Sequence, residues 1–286
     1  MGDKLEYFKF QNLQNPFGII FNPYSIQVLV ERAVAMRLFK EDDVFQKDER
    51  WYCFEVHSSL SDTTREDFLV LLNDRLHQLR NYLKDASHII LTYGTAWVYR
   101  HIVTAEIVAN CHKIPQKEFS KELLDTLAIH NSVKKTIYAI RELNKDATII
   151  GTVSPVRHLK DGFVENSRSK AHLISGLHEV ADLYYFPAFE LMMDELRDYR
   201  FYEPDLLHPN ATAIEIIWER FKEVWISSET AALQKEIDAV QKGLQHKPFH
   251  PESVSHIAFQ KNLQLKIKEI RSKLPYIEFG NENEML

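Results

Sequence analysis

Short apolar runs alternate with longer stretches of helical periodicity along this chain. Four runs read as buried strands: Tyr7–Leu13, His88–Thr92, Thr148–Val153 and Ala181–Phe186. Each is short, rich in β-branched or aromatic residues, and ends near Gly or Pro. Between them, Pro23–Leu38, Thr64–Leu83, Glu118–Leu143, Ser167–Glu179 and Asn210–Trp225 place apolar residues at helical spacing. In the third, Leu123, Leu124, Leu127, Ile137 and Ile140 form a stripe. Strands that alternate with helices imply parallel pairing through right-handed crossovers. In such sheets chemistry gathers where the strands end at their carboxyl side. Asn15–Gly18, Gly94–Trp97, Ser154–His158 and the segment leading to Asp205–His208 are expected on that edge.

The tail has a different pattern. Ser228–Leu244 is polar and helical, Gln245–Pro251 is a His/Pro loop, and Ser253–Leu274 is a second helix rich in Lys and Glu. It reads as a helical hairpin, either a solvated appendage or a surface for a protein partner or self-association. The expected division is an α/β domain over 1–226 and a helical extension over 227–286.

Composition narrows the classes. With 286 residues and 45% apolar content the chain affords a full-sized core. Charged residues at 27% and a net charge of -6 lack the basic excess of a nucleic-acid surface. Cys53 and Cys111 are too few for a disulfide framework and suit a reducing compartment. No apolar run approaches the ~18 residues needed to span a bilayer. The start Met1-Gly2-Asp3-Lys4-Leu5-Glu6 shows no signal peptide, so a cytoplasmic location is expected, unless a truncated start hides a leader.

The sharpest local signal is Asp205-Leu206-Leu207-His208-Pro209. Pro209 is expected at the first position of the following helix, which exposes His208 on an anchored backbone. An Asp three residues earlier is placed to accept from the imidazole Nδ1–H, fixing the tautomer and stabilising the imidazolium formed on proton abstraction. A helix-capping pair without catalytic work is the competing reading.

Several blocks resemble one known family. Asn15-Pro16-Phe17-Gly18 with Asn22-Pro23, His57-Ser58, Gly94-Thr95-Ala96-Trp97-Val98-Tyr99, Val108-Ala109-Asn110-Cys111-His112-Lys113, Ser154-Pro155-Val156-Arg157-His158 and Asp205–Pro209 occur in the order of the GSCFA family. That family is a branch of the SGNH (GDSL-like) hydrolases, and the likeness spans residues 7–225. It implies a three-layer α/β/α, flavodoxin-like sandwich and ester chemistry, in which a serine attacks an acyl carbon. Carried over, His208 is the base, Asp205 its orienting acid and Gly18 a backbone oxyanion donor. Thr95 or Trp97, after Gly94, stands where the pattern has an Asn. The implied substrate is a small-molecule or carbohydrate ester, and no cofactor is implied.

The departure is at the front. The Gly-Ser-Cys-Phe-Ala block that ends the family's first strand and supplies its nucleophile should precede the Asn15–Gly18 segment. Only 14 residues do so here, and none is Ser. Met1–Phe10 reads instead as the end of a first helix running into the second strand. Either the start is truncated or the nucleophile has been lost, and in both cases this chain is expected to be inactive or impaired. Deleting a central strand strands hydrogen-bonding groups at about 1–3 kcal/mol each, which favours truncation. The rival in a different class is a non-catalytic binding or scaffold protein that keeps the fold.

Other candidates were weighed on chemistry. Ser154 follows a strand, but Pro155 offers no N–H for an oxyanion hole. His57 with Ser58 either contacts substrate or caps a loop. Arg157 and His158 either bind a substrate oxygen and buttress His208 or pair within the interior. His57, His112, His158 and His208 show no metal-binding spacing. Cys111, between Asn110 and His112, reads as a small buried residue before a reactive thiol. Tyr184, Tyr185, Phe186 and Phe189 read as core.

Overall fold

The computed structural model describes residues 1–279. In chain order the elements are α1 (Gly2–Tyr7), α2 (Pro23–Val34), β1 (Phe45–Lys47), β2 (Arg50–Tyr52), α3 (Arg65–Asp85), β3 (His88–Tyr93), β4 (Trp97–His101), β5 (Ile107–Val108), β6 (Phe119–Leu123), α4 (Thr126–Leu143), β7 (Thr148–Val153), α5 (Phe163–His178), β8 (Tyr184–Phe186), α6 (Ala188–Glu190), α7 (Ala211–Trp225), α8 (Ala231–Gln245) and α9 (Val254–Lys273). They form two compact units: Asn15–Ile217, and Met1–Gln14 with Trp218 onward.

The larger unit is α/β. Its parallel sheet has the order β3-β7-β8, with Ile89 opposite Ile149, Tyr93 opposite Val153 and Thr152 opposite Phe186. Successive residues of a strand point to opposite faces. Along β7, Ile149, Ile150 and Val153 are each fully buried, so both faces of the central strand are covered, as a helix–sheet–helix sandwich requires. The core joins strand residues Ile89, Leu91, Tyr93, Ile149 and Val153 to Leu72 and Leu76 of α3, Ile129, Val133 and Ile140 of α4, and Leu173 and Leu177 of α5.

Local chemistry sets the helix ends. Asn22 accepts from Ser25 N at 2.9 Å with Pro23 at the first position of α2, Thr64 caps α3, and Asp125 accepts from Ala128 N at 2.7 Å at the start of α4. The Arg32 guanidinium is buried between Glu55 (2.5 Å) and Asp43 (3.2 Å), which ties α2 to the loops on either side of the β1–β2 hairpin.

Two sequence expectations are corrected. Tyr7–Leu13 is not a strand. The chain leaves α1 through Phe8, whose N–H still bonds Lys4 O, and Lys9 takes a positive φ of 61°, which breaks extended geometry. The apolar residues there serve side-chain packing: Phe8 stacks on Trp218 at 5.6 Å and Tyr7 donates to Asp238 at 2.9 Å, within the smaller unit. Glu118–Leu143 is not one helix. Phe119–Leu123 alternates like a strand, and it pairs antiparallel with β4 before Asp125 restarts the chain as α4. Trp97 opens β4, centre of a second, antiparallel sheet with the order β5-β4-β6.

In the smaller unit α8 and α9 pack through Ile237, Val240, Leu263, Ile267 and Ile270, closed by Ile277 and Phe279. Gly243 permits this approach, since a Cβ there would stand 2.8 Å from Leu263. Gln241 donates to Tyr7 O at 2.9 Å. Among the described residues no helix is long and apolar enough to cross a membrane.

Because Ile149 sits fully buried in the central strand, Ile149→Ala is expected to destabilise the larger unit by about 3 kcal/mol through lost burial and the cavity left behind. Urea unfolding followed by tryptophan fluorescence measures this, and a loss under about 1 kcal/mol would mean that the sheet is not packed on both faces.

Candidate active site

The Asp205–His208 loop is held by its own backbone. Asp205 Oδ1 accepts from Leu207 N at 2.8 Å and His208 N at 3.0 Å, while Oδ2 accepts from His208 Nδ1 at 2.6 Å. Leu206 takes a left-handed φ of 60°, and Glu203 N donates to His208 O at 2.8 Å. These bonds turn one carboxylate into the organising centre of a tight loop. They also hold its pKa down to about 2, the hydrogen bonds from His208 and Leu207 favouring the ionised form. The His208 side chain is 58% exposed and that of Asp205 46%. With Nδ1 committed to Asp205, Nε2 is the nitrogen left to take a proton, and no hydrogen bond occupies it among the described residues.

Pro209 does not open the next helix. It pairs with Tyr202 across the neck of the loop, and Asn210 caps α7 by accepting from Ala213 N at 3.1 Å. The Asn210 amide also donates to Arg200 O at 2.7 Å. The loop is therefore clamped at its base as well as at its tip.

Arg157 reaches this loop from the carboxyl end of β7. Its guanidinium donates to Leu206 O and lies 5.0 Å from the centre of the Tyr202 ring, while its Nε is buried without a partner. His158 follows. It packs edge-on against Phe21 at 5.4 Å, and its N–H bonds Asn166 Oδ1 at 2.9 Å. Burial, with the charges of Lys170 and His208 added, lowers its pKa to about 4, so the imidazole is neutral near pH 7.

The end of β3 meets the same edge. Gly94 N and Thr95 N both donate to Phe21 O, at 2.7 Å and 3.1 Å, which brings the segment after Asn15–Gly18 against Gly94. A Cβ on Gly94 would stand 3.2 Å from His158 Nε2, so glycine permits the close approach of that ring. The residue types expected to donate to an oxyanion are largely occupied. Gly18 (φ 75°) turns the chain with its N–H on Asn15 O at 2.8 Å. The Thr95 hydroxyl accepts from Trp97 N at 3.0 Å and bonds Ser169 Oγ at 3.0 Å. The Trp97 indole donates to Glu165 O at 3.2 Å, and Lys121 lies over its ring at 4.6 Å.

The remaining candidates have structural partners. His57 takes its N–H to Phe17 O, and its Nδ1 pairs with Ser59 Oγ at 2.9 Å rather than with Ser58. A Cβ on Gly18 would collide with His57 Cβ at 2.4 Å, so these two blocks touch. Asn110 accepts from His112 N at 2.8 Å, and His112 is buried among Phe45, Tyr52 and Phe54 with Nε2 on Cys53 O at 2.7 Å. None of these His112 contacts is with the Asp205–His208 loop. Burial raises the Cys111 thiol to about 11, the opposite of what a reactive thiolate needs. Ser154 Oγ accepts from Val156 N at 3.3 Å. Among the described residues no cluster of three His, Cys, Asp or Glu side chains is placed to hold a metal.

The helix expected over Ser167–Glu179 begins at Phe163, and the part its polar face plays at this edge is not legible in the sequence. One face of α5 carries Glu165, Asn166, Ser169 and Lys170, spaced to point the same way. Through them it holds the Trp97 indole, His158 N, Ala96 N (Ser169 Oγ, 2.7 Å), and the carbonyls of Gly94 (2.8 Å) and Ser154 (2.7 Å) from Lys170 Nζ. A Lys and two polar residues at helical spacing resemble a solvated face, and only burial distinguishes them: Asn166, Ser169 and Lys170 are 7%, 2% and 2% exposed.

Fold and site together define an α/β protein with a hydrogen-bonded Asp–His pair in a loop tied by Arg157 to the carboxyl end of a parallel strand. The sequence pattern of the GSCFA family matches residues 1–221, and that of the GSCFA domain protein, C-terminal domain, matches residues 237–286. The chain belongs to the GSCFA family. Comparison with curated proteins gives no match.

Stability should follow the buried imidazoles. Burial lowers His112 and His158 from 6.5 to about 4 in the folded protein. Between those values the unfolded chain binds protons that the folded chain refuses, so their contribution is complete above pH 6.5 and is lost as pH falls toward 4. The urea midpoint is expected to drop between pH 6.5 and 5, above the carboxylate range, with His112 alone adding up to about 1.4 kcal/mol per pH unit. His112→Asn should flatten that slope; an equal slope in the variant would show that His112 is protonated in the fold.

Proposed function

We propose that this protein is an SGNH-type esterase or acyltransferase acting on an acylated substrate, carbohydrate esters included, with His208 as base and Asp205 as its orienting acid. The observation that carries the reading is the 2.6 Å bond from His208 Nδ1 to Asp205 Oδ2 on a side chain that is 58% exposed. A carboxylate that stays ionised down to about pH 2 holds the imidazole in one tautomer and stabilises the cation formed when Nε2 takes a proton. An imidazole so arranged removes a proton from a hydroxyl as that hydroxyl attacks an acyl carbon, and returns it to the leaving oxygen. Neutral His158, beside Gly94 and close enough to His208 to feel its charge, supplies a second imidazole for a substrate oxygen.

No described serine bonds Nε2 of His208. Any hydroxyl brought to Nε2, that of water or of an acceptor molecule included, gives up its proton to this base as it attacks. General base assistance by itself supports slow turnover.

The direct test is hydrolysis of p-nitrophenyl acetate by the wild-type chain, His208→Ala and Asp205→Asn. The wild type is expected to exceed the buffer rate, and each variant to lose at least ~10-fold of the excess. Equal rates for wild type and His208→Ala, or a wild type no faster than buffer, would leave the family fold as a binding or scaffold module without catalysis.

A further inference from the structure

We propose that Lys170 is a positioning residue of this site, a buried strut that fixes the two strand-end loops against each other by donating at once to the carbonyls of Gly94 and Ser154. The proposal rests on the reading of the site given above and extends it to a residue that does not touch the reacting atoms.

The geometry has three parts. First, β3 and β7 run side by side in register up to Tyr93 and Val153, and the bond from Ser154 N to Tyr93 O extends the ladder past the last residue pair. Beyond it the chains diverge, one into Gly94–Trp97, the other into Ser154–His158. Second, Lys170 Nζ stands at the divergence, 2.8 Å from Gly94 O and 2.7 Å from Ser154 O. The amine thus replaces the ladder hydrogen bond that the separating strands no longer make. Third, both loops bear on the Asp–His pair. Ser154 leads in three residues to Arg157, which holds Leu206 O, and in four to His158, which lies against Gly94.

Among the described residues Lys170 has no carboxylate partner. It is 2% exposed, with the Phe189 ring 5.5 Å from its nitrogen. A buried, unpaired lysine is costly and persists where something needs it. Burial brings its pKa from 10.5 to about 7. His158 feels the lysine's charge, and His208 and Asp161 in turn act on His158. Around neutral pH the strut therefore passes between a cationic form with three N–H donors and a neutral form with two and a lone pair. Either form still reaches both carbonyls, the cation more strongly.

The experiment compares wild type with Lys170→Met by amide NMR between pH 5.5 and 8.5, alongside p-nitrophenyl acetate hydrolysis. In the wild type, the amides of Thr95, Ala96, Val156 and His158 are expected to shift with a midpoint near 7. In Lys170→Met, whose side chain is similar in length but has no donor, those amides move from their wild-type positions and the titration disappears. Amides of Ile149–Thr152 in β7 stay in place, which separates loop slackening from loss of the sheet. The His208-dependent rate falls by ~10-fold or more, the cost of misplacing groups by a fraction of an ångström. If the Met variant does not fold, Lys170→Gln replaces it, keeping donors without a titrating charge, and is expected to lose the titration alone.

Loop amides that overlay in wild type and Lys170→Met, or a midpoint near 7 that persists in the variant, overturn the proposal. So does an unchanged hydrolysis rate in the presence of moved amides, because the strut then orders loops that do not govern the site. A wild type without hydrolysis above buffer removes the hydrolase reading on its own. The amide arm still decides whether Lys170 couples the loops.

Discussion

The site depends on β3 and β7 ending together. Tyr93 pairs with Val153, so the residues that follow leave the sheet at the same level and from neighbouring positions. Two loops that start a strand spacing apart, about 5 Å, can meet again only over a short distance. Here they do so at Gly94 and His158, where glycine allows a ring nitrogen to approach within the space a methyl would fill. A one-residue slip of β7 would turn Ile149 and Val153 from one layer to the other and carry Ser154, Arg157 and His158 with them. Burial on both faces makes that slip prohibitive, and the same burial that stabilises the sheet sets the position of the chemistry.

The acid–base pair is attached to this frame indirectly. Asp205 and His208 are more than two-fifths exposed, so packing contributes little to their geometry. Backbone hydrogen bonds do the work: two N–H groups and one imidazole converge on a single carboxylate, and the loop's neck is pinned by Asn210 and by the Tyr202–Pro209 bridge. Arg157 then joins the loop to the end of β7 through Leu206 O. A carboxylate with that many donors remains charged down to about pH 2, so near neutral pH it acts as a fixed electrostatic partner for the imidazole. The exposure of the pair has a second consequence. Water screens developing charge at the rim, and a catalytic environment requires that a bound substrate exclude it.

Much of this was legible in the sequence, and the reasons differ from part to part. Thr148–Val153 and His88–Thr92 were readable because central parallel strands are continuously apolar. Asp205 and His208 were readable because their contact is local, three residues apart, and needs no tertiary information. Tyr7–Leu13 misled because alternation of large apolar residues marks any surface with one buried side, and here the buried side packs in the smaller unit, Phe8 on Trp218. Phe119–Leu123 was absorbed into a helix because β6 is five residues long and abuts a genuine helical stripe. Its strand character comes from pairing with β4, a partner remote in sequence. Lys170 was illegible for the same kind of reason. Nothing in Asn166-Ser167-Arg168-Ser169-Lys170 distinguishes a polar face turned to water from one turned to the ends of two strands.

That polar face explains why the side chains expected to bind an oxyanion are spent elsewhere. Thr95 and Trp97 follow Gly94 directly, but β4 begins at Trp97 and takes the chain into a second sheet. A loop with that destination must be held at a fixed angle as it leaves β3, and Ser169, Glu165 and Lys170 supply the hold. Donors that anchor a loop cannot also be redirected to a ligand without releasing it. In the proposed reading, polar contact with a substrate falls to His158, which among the described residues engages its N–H, and to His208, whose Nε2 takes no hydrogen bond from them. The two imidazoles differ in the way such a division requires. One is sunk far enough to stay neutral, the other stands exposed with an anion behind it, so in the proposed reaction the second takes the proton and the first shares a hydrogen bond.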